Sequence, residues 1–150
     1  MQNDGDNEIA IVKHEIFKTF HFLEKEYFYF PNSNEEVSSL FDNSVKVEYI
    51  NKIRRREIAI RYTKGKFNGD VKFTFSVSII RTPYVSFEDF FSLDIYLQSI
   101  GKHFSTGFVT NFNFHELQTI LQKLANSLKE HAEKIIDGSI WLETYYPRKD

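Results

Sequence analysis

Three stretches of period-two alternation between residues 45 and 81 constrain the fold of this chain more than any other feature. In each stretch apolar side chains alternate with mostly polar ones, which is typical of strands that bury one face of an antiparallel sheet. The apolar positions are Val45, Val47 and Tyr49; Ile58, Ile60 and Tyr62; and Val71, Phe73, Phe75, Val77 and Ile79. The connecting segments 52–56 and 64–69 are short enough for hairpins. The pattern therefore predicts antiparallel strands over 45–51, 57–63 and 70–81.

The side chains between these apolar positions predict a second, mostly polar sheet face. They are Lys46, Glu48, Ala59, Arg61, Lys72, Thr74, Ser76 and Ser78. Because helices must bury their own apolar stripes, they can pack only on the apolar face of the sheet. We therefore expect the opposite face to be solvated or to serve as a docking surface.

Apolar residues that recur every three or four positions predict a helix before the sheet. The stripe consists of Ile9, Val12, Ile16, Phe20, Leu23 and Tyr27. The predicted helix spans 8–27, and the polar residues 1–7 are predicted to form a flexible tail.

Two further helices are predicted after the sheet. Ser86, with Asp89 three residues later, fits a capping box at the start of a short helix that Gly101 would end. The second helix is predicted over 113–136, with Asn113 as its N-cap.

Shorter segments complete the predicted fold. Gly138 is expected at the position just beyond the long helix, where glycine is common. Residues 103–112 are predicted as a loop that can include an edge strand, and 140–146 as a short closing strand. The order predicts an α+β fold: an N-terminal helix, a three- to four-stranded antiparallel sheet, then a short and a long C-terminal helix packed on one sheet face. At 17.8 kDa, residues 1–150 are expected to form a single domain.

The sequence lacks the patterns of common catalytic and metal sites. It has no cysteine, which excludes thiol catalysis, thiolate-bound zinc and iron–sulfur clusters. No two of the five histidines have the three- to five-residue spacing of helical metal ligands. No Gly-x-Ser-x-Gly, Walker or Gly-x-Gly-x-x-Gly motif occurs. We therefore expect no metal, no cofactor and no enzymatic activity.

Charge is distributed unevenly along the chain, although the formal net charge is only −2. Residues 1–45 carry −6, residues 46–72 carry +6, and residues 73–150 carry −2. The basic middle segment can attract an acidic partner, and the acidic N-terminal third can attract a basic one such as a nuclease toxin. The other interpretation is that neighbouring acidic elements neutralise the basic segment in the fold. We favour neutralisation, because small domains usually intersperse charges of both signs.

The N-terminal sequence and the hydropathy predict a cytoplasmic protein. Residues 1–8 are mostly polar and acidic, whereas a secretory signal has a basic start and then an apolar run. No apolar run approaches the roughly 20 residues that a membrane-spanning helix needs.

The most concentrated charge lies in the segment 52–56, Lys-Ile-Arg-Arg-Arg, at the predicted turn of the first hairpin. Such a turn can bind an acidic protein surface or nucleic-acid phosphates. Base stacking also needs exposed aromatic rings, but Tyr49 and Tyr62 are predicted on the core face of the sheet. We therefore favour a protein partner and keep nucleic acid as the alternative. The predicted partner-binding residues are Lys52, Arg54, Arg55, Arg56, Arg61 and Lys72.

Four consecutive aromatic residues, Tyr-Phe-Tyr-Phe at 27–30, form the other unusual segment. They can form an exposed apolar patch. Alternatively, the chain turns into the core here and alternate rings are buried. We favour burial, because an exposed aromatic run is a liability in a soluble protein.

The order of these segments resembles that of a broad group of small uncharacterised bacterial α+β proteins. The resemblance rests on Phe20–Tyr27, Val45–Tyr49, Ile58–Tyr62, Phe91–Leu97 and Leu117–Ile136, the last followed by Asp137 and Gly138. Some members of this group look like immunity proteins, which neutralise a toxin by binding it. The resemblance implies binding without catalysis and supplies no catalytic residues. Phe28 stands where we expect a glycine at the end of the first helix.

These observations leave three functions open. The first is an immunity-type interaction protein that covers the site of a partner. The second is a nucleic-acid-binding accessory factor that uses the basic hairpin 52–56. The third is a small-ligand-binding or enzymatic domain without a recognisable motif, which requires a deep apolar pocket.

Overall fold

The computed structural model describes residues 4–34 and 43–142 and confirms the α+β fold. Its helices are α1 (Asp4–Thr19), α2 (Phe22–Tyr27), α3 (Leu93–Ser99), α4 (Phe114–His131) and α5 (Glu133–Ile136). Its strands are β1 (Phe30–Asn34), β2 (Asn43–Asn51), β3 (Arg56–Phe67), β4 (Asp70–Arg81), β5 (Phe90–Ser92) and β6 (Gly107–Val109). A 3-10 turn over Phe87–Asp89 precedes β5.

The strands form one antiparallel sheet in the order β1-β2-β3-β4-β5, with β6 pairing to β4 beyond the short β5. The three predicted strands form its centre. Their register pairs Val47 with Ile60 and Ile60 with Val77, so apolar side chains face apolar side chains across the sheet. Such cross-strand pairs stabilise the sheet, and a slip of one residue would turn the whole set towards the other face.

The core lies between the apolar sheet face and the helices. Tyr49 and Tyr62 belong to it, as predicted, and both are fully buried. Its other sheet residues are Val45, Val47, Ile58, Ile60, Phe73, Phe75, Val77 and Ile79. The helices contribute Val12, Ile16, Phe20, Leu23, Leu93, Leu97, Leu117, Ile120, Leu121, Leu124, Leu128, Ile135 and Ile136.

The N-terminal helix differs from its prediction in both extent and continuity. It begins at Asp4, four residues before the predicted start, so the predicted tail overlaps its first turn. It also breaks at Phe20 and His21, where α2 begins. Aromatic and β-branched residues form helices weakly, and Thr19 and Phe20 meet here. The break leaves Phe20 and Leu23 both fully buried.

The predicted short helix over 86–100 is only partly helical. Ser86 and Asp89 do form the predicted capping box, but it encloses a single 3-10 turn. Residues Phe90–Ser92 then pair with Ser78–Ile80 of β4, and α3 begins only afterwards. Edge pairing with a long strand therefore overrides the helical periodicity of this segment.

Three additional short strands, β1, β5 and β6, bring the sheet to six strands, more than the three to four predicted. Strand β1 contains Pro31, which is tolerated because β1 lies at the edge of the sheet. Strand β6 confirms the possible edge strand within 103–112. The closing strand predicted over 140–146 is absent from 140–142, and its remainder lies outside the described residues.

The long C-terminal helix is confirmed in place but is divided. The Asn113 side chain accepts a hydrogen bond from the Glu116 amide at 3.0 Å, as an N-cap does. Buried Ala132 leaves the helical conformation and separates α4 from α5. Gly138 takes a φ of 85° beyond α5, in agreement with its predicted position. A methyl group there would lie 3.2 Å from Cβ of Arg54.

Two buried tyrosines of the core give a matched test of stability. The Tyr29 hydroxyl donates to the Ile136 carbonyl at 2.5 Å, whereas the Tyr49 hydroxyl has no hydrogen-bond partner among the described residues. Tyr29→Phe should lower the free energy of unfolding by about 1–2 kcal/mol, because the buried carbonyl loses its donor. Tyr49→Phe should be neutral or stabilising, because it removes an unsatisfied group. Urea denaturation measures both; equal losses would contradict this assignment.

Candidate functional site

The most exposed large apolar side chains among the described residues lie at one end of the sheet. They are Ile53 (96 % exposed), Val85 (79 %), Phe30 (76 %), Phe28 (67 %), Phe87 (59 %) and Tyr84 (58 %). Strand pairing places them together, because Phe30 pairs with Ile50 while Arg56 pairs with both Asn51 and Arg81. We call this region, residues 28–30, 50–56, 81–88 and 137–141, the hairpin end.

The loop between β2 and β3 forms the centre of the hairpin end. It is a tight turn in which the Arg55 amide donates to the Lys52 carbonyl at 3.3 Å and Arg55 takes a φ of 58°. Ile53 stands at its apex. An apolar side chain in this position gains nothing from the fold itself, so it is available to another molecule.

The corner between α2 and β1 holds Phe28 beside this loop. Phe28 takes a left-handed conformation, with φ 63° and ψ 34°, at a helix end where glycine is usual. For a bulky residue this conformation costs roughly 1–2 kcal/mol. Strain of this kind persists where surrounding contacts hold it, and it often marks a functional position.

Asn51 joins the corner to the loop. Its side-chain amide donates to the carbonyls of Tyr27 and Phe28, at 2.9 and 3.4 Å. Its side-chain oxygen accepts from the Arg54 amide at 3.0 Å. This nearly buried side chain therefore fixes the strained corner and the hairpin turn relative to each other.

A groove of about 930 Å³ runs between the corner and the loop. Its apolar lining comes from Phe28, Tyr29, Phe30, Ile50 and Ile53. Glu24, Asn51, Lys52 and Arg54 supply its polar lining. The volume lies in the range of sites that bind a drug-sized ligand.

Two arginines of the loop bind the turn that follows α5. The Arg54 guanidinium donates to the Asp137 carbonyl at 2.6 Å. The Arg56 guanidinium donates to the Ile135 and Ile140 carbonyls at 2.9 and 3.0 Å. The last carbonyls of a helix have no partners within it. The two side chains add donors at this helix end, where the Ile135 carbonyl also accepts from the Gly138 amide, and at Ile140 beyond it. Burial lowers the pKa of the Arg56 guanidinium below its ordinary value.

Trp141 completes the end beside these arginines. The guanidinium carbons of Arg56 and Arg81 lie 4.8 and 5.1 Å from the centre of its ring, within cation–π range. Its indole N–H donates to the Glu88 carbonyl at 2.8 Å. A second groove of about 490 Å³ opens here, between the loop and residues 137–141.

An ion pair holds the segment that carries Tyr84, Val85 and Phe87. The Arg81 guanidinium lies 2.8 Å from the Asp89 carboxylate. The amides of Val85 and Ser86 also donate to this carboxylate, at 3.0 and 3.2 Å. These hydrogen bonds lower the pKa of Asp89 below its ordinary value, and the one from the Val85 amide has the largest effect.

The structure separates the six predicted partner-binding residues into two groups. Lys52, Arg54, Arg55 and Arg56 lie at the hairpin end, where Lys52 and Arg55 are exposed and Arg56 is only 5 % exposed. Arg61 and Lys72 are exposed on the polar sheet face. Arg61 stands five residues along β3 from Arg56, about 17 Å away, and Lys72 stands nine residues from the Arg81 end of β4, about 30 Å away.

The aromatic segment 27–30 combines both of its predicted alternatives. The ring of Tyr29 is buried and only 2 % exposed, whereas its neighbours Phe28 and Phe30 are exposed. The two flanking phenylalanines nevertheless form an exposed patch. The sequence does not predict that Tyr84, Val85 and Phe87 belong to the hairpin end. The only sequence signal for them is that three large apolar residues follow closely after Thr82-Pro83.

Within 4–34 and 43–142 no group of three or more histidine, aspartate or glutamate side chains is placed to hold a metal ion. No described helix is long and apolar enough to cross a membrane. Comparison of the chain with protein-family models, with curated proteins and with solved structures gives no match.

Proposed function

We propose that this chain is a cytoplasmic, non-enzymatic protein-interaction module that uses the hairpin end to bind a partner protein. In the immunity-type mechanism that we favour, binding neutralises the partner by covering its functional site. The observation that carries this proposal is that, among the described residues, the six most exposed large apolar side chains lie around one group of arginines.

The composition of the hairpin end supports a protein interface. Aromatic residues and arginine are enriched at such interfaces and provide most of the residues that dominate binding energy. Phe28 and Phe30 lie on one side of the loop that carries Ile53, and Tyr84 and Phe87 lie on the other side. Exposed apolar side chains gathered in this way mark interaction sites in soluble proteins.

The exposed rings also give the nucleic-acid alternative an observation in its favour. Phe28 and Phe30 line the same groove as Lys52, and single-stranded nucleic acids bind where cations adjoin exposed rings. However, Ile53 at the apex is aliphatic, and Arg54 and Arg56 direct donors to carbonyls of the chain itself. We therefore treat nucleic acid as an outcome that the test must distinguish.

Quantitative capture from extracts of the source cell tests the proposal. The bait proteins are the wild type and the double variant Phe30→Ser/Ile53→Ser. The matched control is Phe114→Ser/Ile100→Ser, which makes the same changes at exposed positions away from the hairpin end. We expect one partner protein that the wild type and the control retain and the double variant loses. Expressed alone, this partner should be toxic, and co-expression of the wild type should relieve the toxicity.

Two results would overturn the proposal. One is equal capture of every protein by the wild type and the double variant. The other is co-purification of nucleic acid that leaves as salt rises and that depends on Phe30 and Ile53. Circular dichroism of all three baits verifies that they are folded.

The strained corner provides a prediction that requires no partner. Phe28→Gly and Phe28→Ala both remove the ring, but only glycine adopts the left-handed conformation without steric cost. The glycine variant should therefore be more stable than the alanine variant by about 1 kcal/mol. Urea denaturation measures the difference. Equal stability would show that residue 28 is not strained in solution.

The same two variants should lose affinity for the partner together, because both lack the exposed ring. A glycine variant that is as stable as the wild type but binds less tightly would separate the role of Phe28 in binding from its role in folding.

A further inference from the structure

We infer that the groove between the corner and the loop accepts an acidic segment of the partner, which inserts one bulky apolar side chain between Phe28, Phe30 and Ile53. This inference rests on the proposed function and specifies the chemistry of its partner.

The apolar part of the inference follows from the lining of the groove. Phe28, Phe30 and Ile53 surround it and are mostly exposed, while Tyr29 and Ile50 belong to its wall. An aromatic or branched aliphatic side chain placed there would remove apolar surface from water on several sides. Side chains that fill such pockets dominate the binding energy of protein interfaces.

The acidic part follows from the charges around the groove. Two basic side chains, Lys52 and Arg54, line it. Glu24 is the only acidic side chain in the lining, and its carboxylate lies 3.2 Å from the His21 ring. The groove therefore presents an excess of positive charge. Carboxylates on the partner would complement it, accelerate association and disfavour basic competitors.

The groove is also preorganised in the free protein. Asn51 holds both walls through three hydrogen bonds, and Tyr29 is anchored to the Ile136 carbonyl. A site that is ordered in the free protein loses less conformational entropy on binding, so a short segment can bind with useful affinity.

Selection from random linear peptides displayed on phage tests the inference. The target is the full wild-type chain, and the double variant Phe30→Ser/Ile53→Ser removes peptides that bind elsewhere. We expect a consensus in which aspartate or glutamate flanks one tryptophan, phenylalanine or leucine. The synthetic consensus peptide should bind Lys52→Glu about tenfold more weakly than the wild type. The control Lys102→Glu, an exposed lysine after α3, should bind normally.

The outcomes separate this inference from the proposed function. A consensus without carboxylates that still requires Phe30 and Ile53 overturns the acidic partner and leaves the interaction function standing. Failure to enrich any peptide, or equal binding by Lys52→Glu and the wild type, also overturns the inference. Salt-dependent binding of oligo-dT that requires Phe30 and Ile53 would assign the groove to nucleic acid instead. The proposed function itself fails if extract capture is insensitive to the double variant, or if the material that the double variant loses is nucleic acid.

Discussion

Replacing Arg56 by methionine is expected to lower the free energy of unfolding by about 3–5 kcal/mol. Methionine preserves much of the side-chain length but carries no donor. The carbonyls of Ile140 and Arg54 would lose the hydrogen bonds that the guanidinium donates. Those of Ile135 and Arg55 would lose one donor each and keep the amides of Gly138 and Thr82. Trp141 would also lose one of the two guanidinium groups that lie over its ring, and that of Arg81 would remain. Urea denaturation of the purified variant measures the loss.

The neighbouring substitution Arg55→Met is the matched control for this prediction. Arg55 is exposed, and its Nε donates to the Thr82 carbonyl at the surface. Its replacement should cost less than about 1 kcal/mol. Similar losses for the two variants would mean that the buried carbonyls acquire other donors when Arg56 is absent. The comparison also helps to interpret binding experiments. If Arg56→Met weakens partner binding, the cause would be loss of structure rather than loss of a contact with the partner.

Raising the pH above about 11 is expected to unfold the protein in a single transition. Burial raises the pKa of Tyr29, Tyr49 and Tyr62, and Tyr62 also donates to the Glu8 carboxylate. Below about pH 10 these tyrosines are protonated in the folded and unfolded chains alike, so they add no pH dependence. Above that pH the unfolded chain releases protons that the folded chain retains. Stability therefore falls as pH rises, by up to about 4 kcal/mol per pH unit for three tyrosines.

Tyrosinate absorbance and circular dichroism, recorded together during an alkaline titration, measure this transition. The buried tyrosines should ionise only as the secondary structure is lost. Tyr49→Phe should make the decline of stability with pH less steep, whereas Tyr84→Phe, at an exposed position, should leave it unchanged. Complete tyrosine ionisation near pH 10 with the fold intact would contradict the prediction.

The sequence predicts the centre of this fold well, because period-two alternation has one physical interpretation over a long stretch. Ile58, Ile60 and Tyr62 face the core as predicted. The misjudged segments are those in which pairing with a neighbour overrides local preference. Phe90–Ser92 has helical periodicity but pairs with β4, and Phe30–Asn34, for which no element is predicted, pairs with β2.

The candidate site was predicted in parts but not as a whole. The segments 27–30 and 52–56 each stand out in the sequence, one by its aromatic residues and the other by its charge. Their contact through Asn51 depends on tertiary structure, which periodicity does not encode. The burial of Arg56 also cannot be predicted from the sequence. Its partners are backbone carbonyls of Ile135 and Ile140 rather than acidic side chains that the sequence would reveal.

The arginine contacts to the turn after α5 have a consequence for the newly synthesised chain. They join residues that are 79 to 84 positions apart. Contacts at such separation form late, because ordering a long loop costs entropy before the contact can compensate. On the ribosome the hairpin of β2 and β3 is synthesised long before residues 135–140, whose carbonyls bind its arginines. We therefore expect a nascent chain to become competent for partner binding only after translation has passed this turn.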